Sequence, residues 1–237
     1  MKSATSVGVD GWSVQELKAL PDSVLERLCV LLNAVDRLGE WPRCLKIGLV
    51  TMIGKGEGLL PRKLRPISVM SVLYRIWASF HMRHIVEWQE EWASSSLFGF
   101  RPHRGCEDAF WDTALEIEYS LLSGEDIAGC SIDLQKAFDR VPRDIVFAIA
   151  AHMGFPPQVL GALRNMHDEL DRHFRVGMFV GRAFRSTRGI LQGCPLSVAL
   201  LNIIMEVWCR LISSKTGARP KCYADDATAI ARGGGCN

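Results

Sequence analysis

An aspartate pair set inside an apolar, strand-forming run constrains this chain more than any other feature. Cys222-Tyr223-Ala224 leads into Asp225-Asp226, and Ala227-Thr228-Ala229-Ile230 follows. Two acids between such flanks are costly to bury unless a cation meets them. Alternatively they form an exposed hairpin turn, where Asp is favoured. A third acid favours the cation. Asp133 ends the run Gly129-Cys130-Ser131-Ile132, and Phe138-Asp139 follows five and six residues later. A strand-terminal carboxylate facing an acidic hairpin offers hard oxygen donors of the kind Mg²⁺ takes. Two such ions about 4 Å apart can activate a hydroxyl and stabilise a pyrophosphate leaving group. That chemistry needs carboxylates to carry metal and needs no protein nucleophile.

Charge follows the same logic once it is read by segment. The 237 residues carry 28 Lys plus Arg and 26 Asp plus Glu, a net +2 that taken alone argues against a chain built to coat nucleic acid. Residues 1–40 hold 4 basic and 6 acidic side chains, 41–104 hold 10 and 4, 105–171 hold 4 and 13, and 172–237 hold 10 and 3. The segment balances are therefore −2, +6, −9 and +7, with an acidic middle between basic flanks. Such a chain can fold into a carboxylate centre within a basic groove.

Other classes are excluded. The apolar stretch Val198–Ile212 is interrupted by Asn202, Glu206 and Arg210, so it does not read as a transmembrane helix. The N-terminus lacks an apolar signal core. The eight cysteines form no C-x-x-C pair, and with no export signal they read as reduced, mostly buried thiols. His81 and His84 lack a third ligand.

Periodicity predicts an α+β chain. Ser13-Val14-Gln15-Glu16 is a capping box. Asp22 caps a helix that Gly39 ends. Ile47–Ile53 is a strand, Ser71–Trp92 and Cys106–Leu122 are helices, and Cys130–Leu134 is a short buried strand. Helices follow at Arg143–His152 and Pro157–Arg172, then a hairpin turning at Gly181-Arg182, then a helix over Leu196–Ile212. Lys221–Ala224 and Ala227–Ala231 are strands joined by Asp225-Asp226.

Three motifs carry a family resemblance. Ser131-Ile132-Asp133-Leu134-Gln135-Lys136-Ala137-Phe138-Asp139-Arg140-Val141 resembles the first palm motif of reverse transcriptases. Gly189-Ile190-Leu191-Gln192-Gly193-Cys194-Pro195-Leu196-Ser197 resembles the second, and Tyr223-Ala224-Asp225-Asp226 the third. Their order, with 92 positions from Asp133 to Asp225, is far more specific than any one alone. The wording is most similar to non-LTR (LINE-type) retrotransposon enzymes, with group II intron enzymes next. Upstream, Val9-Asp10-Gly11-Trp12, Trp41-Pro42 through Lys55, Leu64-Arg65-Pro66-Ile67-Ser68 and Phe98 to Gly105 resemble segments of the same family, so the likeness runs from about residue 8 to 231.

The resemblance implies right-hand polymerase fingers and palm, with a small antiparallel palm sheet backed by helices and the thumb absent. Its implied divisions are an N-terminal helical extension at 1–40, fingers with the first palm helices at 41–128, and the palm at 129–237. The implied reaction is RNA-directed DNA synthesis with two Mg²⁺ ions, or Mn²⁺, on an RNA template, a DNA primer and dNTPs. Asp133 and Asp225 are implied metal ligands and Asp226 the third carboxylate. Phe138 is implied to pack under the incoming sugar, where its ring would clash with a 2′-hydroxyl. Arg65 and Lys55 would face the triphosphate, Arg by bidentate contact and Lys as a point charge. Gln192 would place an amide, and Gly193 bare backbone, beside the nucleotide. Tyr223 would lie at the primer end, and Arg101 and Arg104 along the template path. The chain stops 11 residues after Asp226, so the expectation is a fingers–palm piece of a polyprotein with thumb and endonuclease elsewhere. A group II intron-type or other cellular enzyme, and a noncatalytic RNA-binding remnant, stay open as alternatives. The expected setting is intracellular, nuclear or ribonucleoprotein-associated.

Overall fold

In the computed structural model, residues 6–54 and 64–233 are described. The chain divides into two compact units, one built from residues up to Arg83 with Phe138–Ser197, the other from His84–Ala137 with Val198 onward.

The first unit opens with two helices whose starts are written locally. The Glu16 N–H donates to Ser13 Oγ at 3.2 Å and the Ser13 N–H to Glu16 Oε2 at 2.8 Å, closing the expected capping box of α1 (Val14–Lys18). Helix α2 (Asp22–Leu38) starts one residue earlier than expected. Pro21 occupies the N-cap with no side-chain bond and Asp22 lies in the first turn, while Gly39 ends the helix at φ +68°.

Strands β1 (Ile47–Gly54) and β2 (Leu64–Val69) then pair antiparallel, with Ile53 opposite Arg65. They join β4 (Asp171–Val176) and β5 (Phe179–Phe184) in a four-stranded sheet of order β2-β1-β4-β5, in which β1 and β4 run parallel. Strand β2 escapes a periodicity reading because Pro66 sits within it, yet Pro66 faces Met52 in register. The expected hairpin turn at Gly181-Arg182 is displaced to Gly177-Met178, with Gly177 at φ +59°. Helix α7 (Pro157–Glu169) accordingly stops at Glu169, and Asp171-Arg172 belong to β4 because the parallel pairing Ile47–Asp171 recruits them. Helix α6 (Arg143–His152) packs beside α7. An aromatic knot of Trp41, Tyr74 and Trp77, at ring separations of 5.2–5.8 Å, fills the core. His81 Nε2 lies 3.1 Å from the Asp36 carboxylate.

The second unit carries a three-stranded antiparallel sheet, order β3-β7-β6, made of β3 (Ile127–Asp133), β6 (Arg219–Tyr223) and β7 (Asp226–Arg232). Strand β3 is not buried as expected. As an edge strand pairing with β7 alone, it leaves Ala128–Ser131 exposed, whereas the central β7 buries Ala227, Ala229 and Ile230. Helix α4 (Cys106–Ser123) packs on β6. Helix α8 (Ser197–Thr216) is long and apolar enough to cross a membrane by length and composition, but half of that window is buried in the protein. Its polar interruptions have internal partners. Glu206 accepts from the Ser94 N–H at 3.2 Å and the Ser94 hydroxyl at 2.8 Å, and pairs with Arg210 at 2.7 Å. Helix α3 (Val72–Trp92) and the four-residue α5 (Ala137–Arg140) each span the boundary between units. Among the described cysteines all are free, and four of the seven are exposed, so the expectation of mostly buried thiols holds only for Cys194, Cys209 and Cys222.

Candidate active site

Register puts the acids together. Asp133, the last residue of β3, lies directly opposite Asp226, the first residue of β7, and Asp226 also pairs with Tyr223 across the β6–β7 turn. Directly opposed residues of an antiparallel pair point to one face with Cβ atoms about 5 Å apart, and like charges there repel. The turn itself is Ala224-Asp225, with Ala224 in the left-handed region at φ +55°. The Asp225 carbonyl accepts the Leu134 N–H at 3.3 Å, which ties the turn over the end of β3. Asp133 and Asp226 are exposed and Asp225 is half-buried. Among the described residues no Lys or Arg forms an ion pair with any of the three.

Divalent metal fits this donor set in kind. The donors are hard oxygens whose mutual repulsion a cation would relieve. Among the described residues no three His, Cys, Asp or Glu side chains gather closely enough to form a ready-made metal cage. Mg²⁺ characteristically takes one or two carboxylates and completes its shell with water and substrate phosphate, so an open site of this form suits it better than a closed one.

Behind the turn lies a buried support that sequence reasoning missed. The segment before α4 docks on the β6 edge: the Phe98 N–H donates to the Cys222 carbonyl and the Cys222 N–H to the Ser96 carbonyl, both at 2.8 Å. Gly99 is pressed on the turn so closely that a Cβ there would come within 3.2 Å of the Tyr223 carbonyl carbon. The Gly99 carbonyl accepts from Asn202 Nδ2 at 3.0 Å, and the same amide donates to Gln89 Oε1 at 3.1 Å. Asn202 and Gln89 are buried. The signal was available, since an Asn within the apolar run of α8 needs a partner. Lys221 of β6 is likewise buried, with its ammonium 3.1 Å from both Asp112 and Glu116 of α4.

Arg101 and Arg104 both hold this loop. Arg101 grips the Glu90 carboxylate through two bonds of 2.8 and 2.7 Å and donates to the Ser94 and Leu97 carbonyls. Hydrogen bonding to Arg101 holds the Glu90 carboxyl below its usual range. Arg104 donates to the Ser95 carbonyl at 2.9 Å and stacks its cation over Phe98, 5.3 Å from the ring centre.

The remaining described candidates lie in the first unit. The Ser68 N–H of β2 donates to the Gln192 carbonyl at 2.8 Å. Gly193, at φ +112°, passes so near the Ser68 carbonyl that a Cβ would stand 2.5 Å from that oxygen. Glycine is therefore demanded here by β2 itself. Gln192 lines a cavity of about 150 Å³ together with Ser68, Asp139, Arg172 and Ser186. Burial lowers the Arg172 guanidinium to about 10, with Arg143 adding to the shift and Asp139 opposing it. Phe138 is half-buried, and its carbonyl accepts the Ile190 N–H at 2.7 Å. Arg65 is exposed on β2, and Lys55 falls outside the described residues.

Two buried groups set the path of the loop leading to Gln192. Arg143 spends all five of its N–H donors on acceptors: the carbonyls of Ser186, Arg188, Gly189 and His167 and the Asp168 carboxylate, at 2.8–3.2 Å. His167 Nδ1–H donates to the Leu163 carbonyl at 2.8 Å, leaving Nε2 to accept the Leu191 N–H at 3.3 Å. This geometry requires a neutral ring. Burial, aided by the charges of Arg143 and Arg172 and opposed by the Leu163 bond, lowers its pKa to about 3.

Comparison with known proteins agrees with the geometry. Residues 53–234 match the model of a family described as reverse transcriptase (RNA-dependent DNA polymerase). The chain is 26% identical over 238 residues to the transposon TX1 uncharacterized 149 kDa protein of Xenopus laevis, covering 96% of this chain and 18% of that protein. It is 25% identical over 233 residues to the retrovirus-related Pol polyprotein from type-2 retrotransposable element R2DM of Drosophila melanogaster, covering 96% and 21%. A probable RNA-directed DNA polymerase from transposon BS of the same fly is 28% identical over 207 residues, covering 84% and 22%. The chain thus spans about a fifth of the length of these relatives. Among solved structures, apo telomerase from Candida tropicalis, truncated from its C-terminal domain, superimposes with a TM-score of 0.59 at 13% identity, over 88% of this chain and 48% of that one. That likeness concerns the fold, a right-hand polymerase architecture.

Proposed function

The chain belongs to the reverse transcriptase (RNA-dependent DNA polymerase) family, and from that premise we propose that it joins a deoxynucleotide to a DNA primer 3′-hydroxyl on an RNA template. It is a reverse transcriptase domain of the non-LTR retrotransposon type. The observation that supports the reaction most directly is the register pairing of Asp133 with Asp226, with Asp225 at the turn between strands.

Enzymes of this family use divalent metal ions. In this reading Asp133, Asp225 and Asp226 would hold two Mg²⁺ (or Mn²⁺) ions, which when bound supply charge neutralisation at the reacting phosphate and a more acidic 3′-hydroxyl. Phe138 excludes a 2′-hydroxyl by volume. Gln192 offers its amide to the nucleotide, and Gly193 leaves the backbone bare beside it. Arg65 and Lys55 neutralise the triphosphate, and Tyr223 supports the primer end. Residues 41–128 act as fingers with the first palm helices, 129–237 as palm, and 1–40 as an extension. The natural setting is a nuclear or ribonucleoprotein-associated polyprotein with thumb and endonuclease segments, acting away from membranes.

The test is primer extension on an RNA template with Mg²⁺, wild type against Asp225→Ala. Extension by the wild type that the substitution abolishes is expected. RNA binding unchanged by the substitution, with no extension from either protein, overturns the reading in favour of a noncatalytic RNA-binding domain.

A further inference from the structure

The β4–β5 hairpin combines two properties that water-facing turns seldom share. Its tip is apolar and fully in solvent: Val176, Met178, Phe179 and Val180 are 71%, 90%, 82% and 56% exposed. It is also strongly cationic. Residues 171–188 contain five arginines against the single acid Asp171; Arg175, Arg182, Arg185 and Arg188 are exposed, while Arg172 lines the cavity beside Gln192. Asp171 is engaged by Arg185 at 2.6 Å. The Arg175 Nε–H donates to the Gly177 carbonyl at 3.2 Å, which holds that guanidinium at the tip, and Arg182 is exposed two residues past Val180.

An ordinary protein surface separates these properties, because exposed apolar patches and dense like charge each cost free energy. One partner satisfies both. Single-stranded nucleic acid presents flat apolar base faces and one anionic phosphate per nucleotide, and proteins hold it with aromatic side chains set among cations. At its base Phe174 and Phe184 stack at 4.7 Å across the two strands. A projecting ribbon can insert an aromatic ring between unstacked bases while the flanking arginines meet phosphates.

We infer that the β4–β5 hairpin is a docking element for single-stranded RNA, with Phe179 stacking on a base and Arg175 and Arg182 contacting the backbone. The choice of RNA rests on the RNA-templated reaction proposed above. None of these three residues belongs to the nucleotide or carboxylate sites.

The experiment is fluorescence anisotropy of a short labelled single-stranded RNA titrated with the full chain, without nucleotide and with metal chelated, so that binding is read apart from chemistry. Phe179→Ala should weaken binding about tenfold with an unchanged salt slope, the scale expected for one lost base stack. Arg182→Ala should lower the slope of log affinity against log salt by about 0.7, the value for one phosphate contact on a single strand. Both side chains are solvent-facing, and matching thermal melts would show that the fold is retained. Wild-type affinity and slope in both variants overturns the inference. So does unchanged RNA affinity accompanied by lost binding to anionic vesicles, or by lost self-association in sedimentation, since the tip would then serve a lipid surface or a second copy. Asp225→Ala, which abolishes extension if the polymerase reading holds, should leave this RNA binding unchanged, so failure of this inference is distinguishable from failure of the polymerase reading.

Discussion

Asn202 donates its side-chain amide to the Gly99 carbonyl at 3.0 Å, and Gly99 in turn abuts the turn that carries Asp225. A residue 23 positions upstream of the acid pair thus sets the backbone on which that pair stands. The link is buried at the Asn202 end and shared with Gln89. Two buried side chains, Asn202 and Gln89, therefore support the backbone of the turn that carries Asp225.

Asn202→Leu keeps the branched heavy-atom skeleton but strips the donor from two buried acceptors, Gly99 O and Gln89 Oε1. Leaving a buried acceptor unpaired costs about 1–3 kcal/mol. Urea unfolding should show a loss of at least that size. Retained wild-type stability would mean that the Gly99 carbonyl finds another donor.

Gly99→Ala addresses position more than stability. The added Cβ meets backbone of Tyr223 and Ala224, which cannot rotate away as a side-chain tip could. The turn must move by a fraction of an ångström or more, and misplacement of about 1 Å can cost about 100-fold in rate. Primer-extension kcat should fall by roughly 10- to 100-fold, with a smaller change in melting temperature. A variant that melts early but extends at the wild-type rate would remove Gly99 from the positioning of the carboxylates.

His167 makes stability depend on acidity. Its ring titrates near 6.5 when unfolded and about 3 when folded, because burial excludes the charged form. Between those values the unfolded chain binds a proton that the native chain does not, so falling pH favours unfolding. The stabilisation is complete above 6.5 and declines through the window toward 3 at about 1.4 kcal/mol per pH unit. His167→Gln keeps an acceptor for the Leu191 N–H and removes the titration. Urea midpoints of wild type and variant should diverge as the pH is lowered into that window. Parallel curves would show that His167 does not stay neutral in the native protein.

Phe138→Ala should raise incorporation of ribonucleotides relative to deoxynucleotides, because the ring is the bulk proposed to oppose a 2′-hydroxyl. The Phe138 carbonyl keeps its bond from the Ile190 N–H whatever the side chain, so the backbone there should hold. Competition between labelled rGTP and dGTP in primer extension measures the ratio, and an unmoved ratio in an active variant removes Phe138 from the sugar site.

Much of the architecture is legible locally. The capping box at Ser13 and Glu16 and the left-handed stop at Gly39 depend on contacts within one helical turn, and both form as read. Long-range pairing is what escapes such a reading. The β4–β5 turn moves from Gly181-Arg182 to Gly177-Met178 because β4 takes its register from β1, more than a hundred residues earlier. Strand β2 forms despite Pro66 because β1 supplies its partner. That Arg101 bonds Glu90 and two carbonyls is not legible in the sequence either.

By itself the sequence determined the acids, their apolar strand flanks and their order along the chain, because strand-forming alternation and turn preference act over a few residues. It also determined the segregation of charge into an acidic middle and basic flanks. Only the tertiary structure decided that Asp133 faces Asp226 across a strand pair. It alone decided that Asn202 and Gln89 brace the turn from below, and that Arg143 and His167 shape the approach to Gln192. Strand register and the pairing of buried polar groups join residues far apart in sequence, and a buried donor takes whichever acceptor packing brings to it.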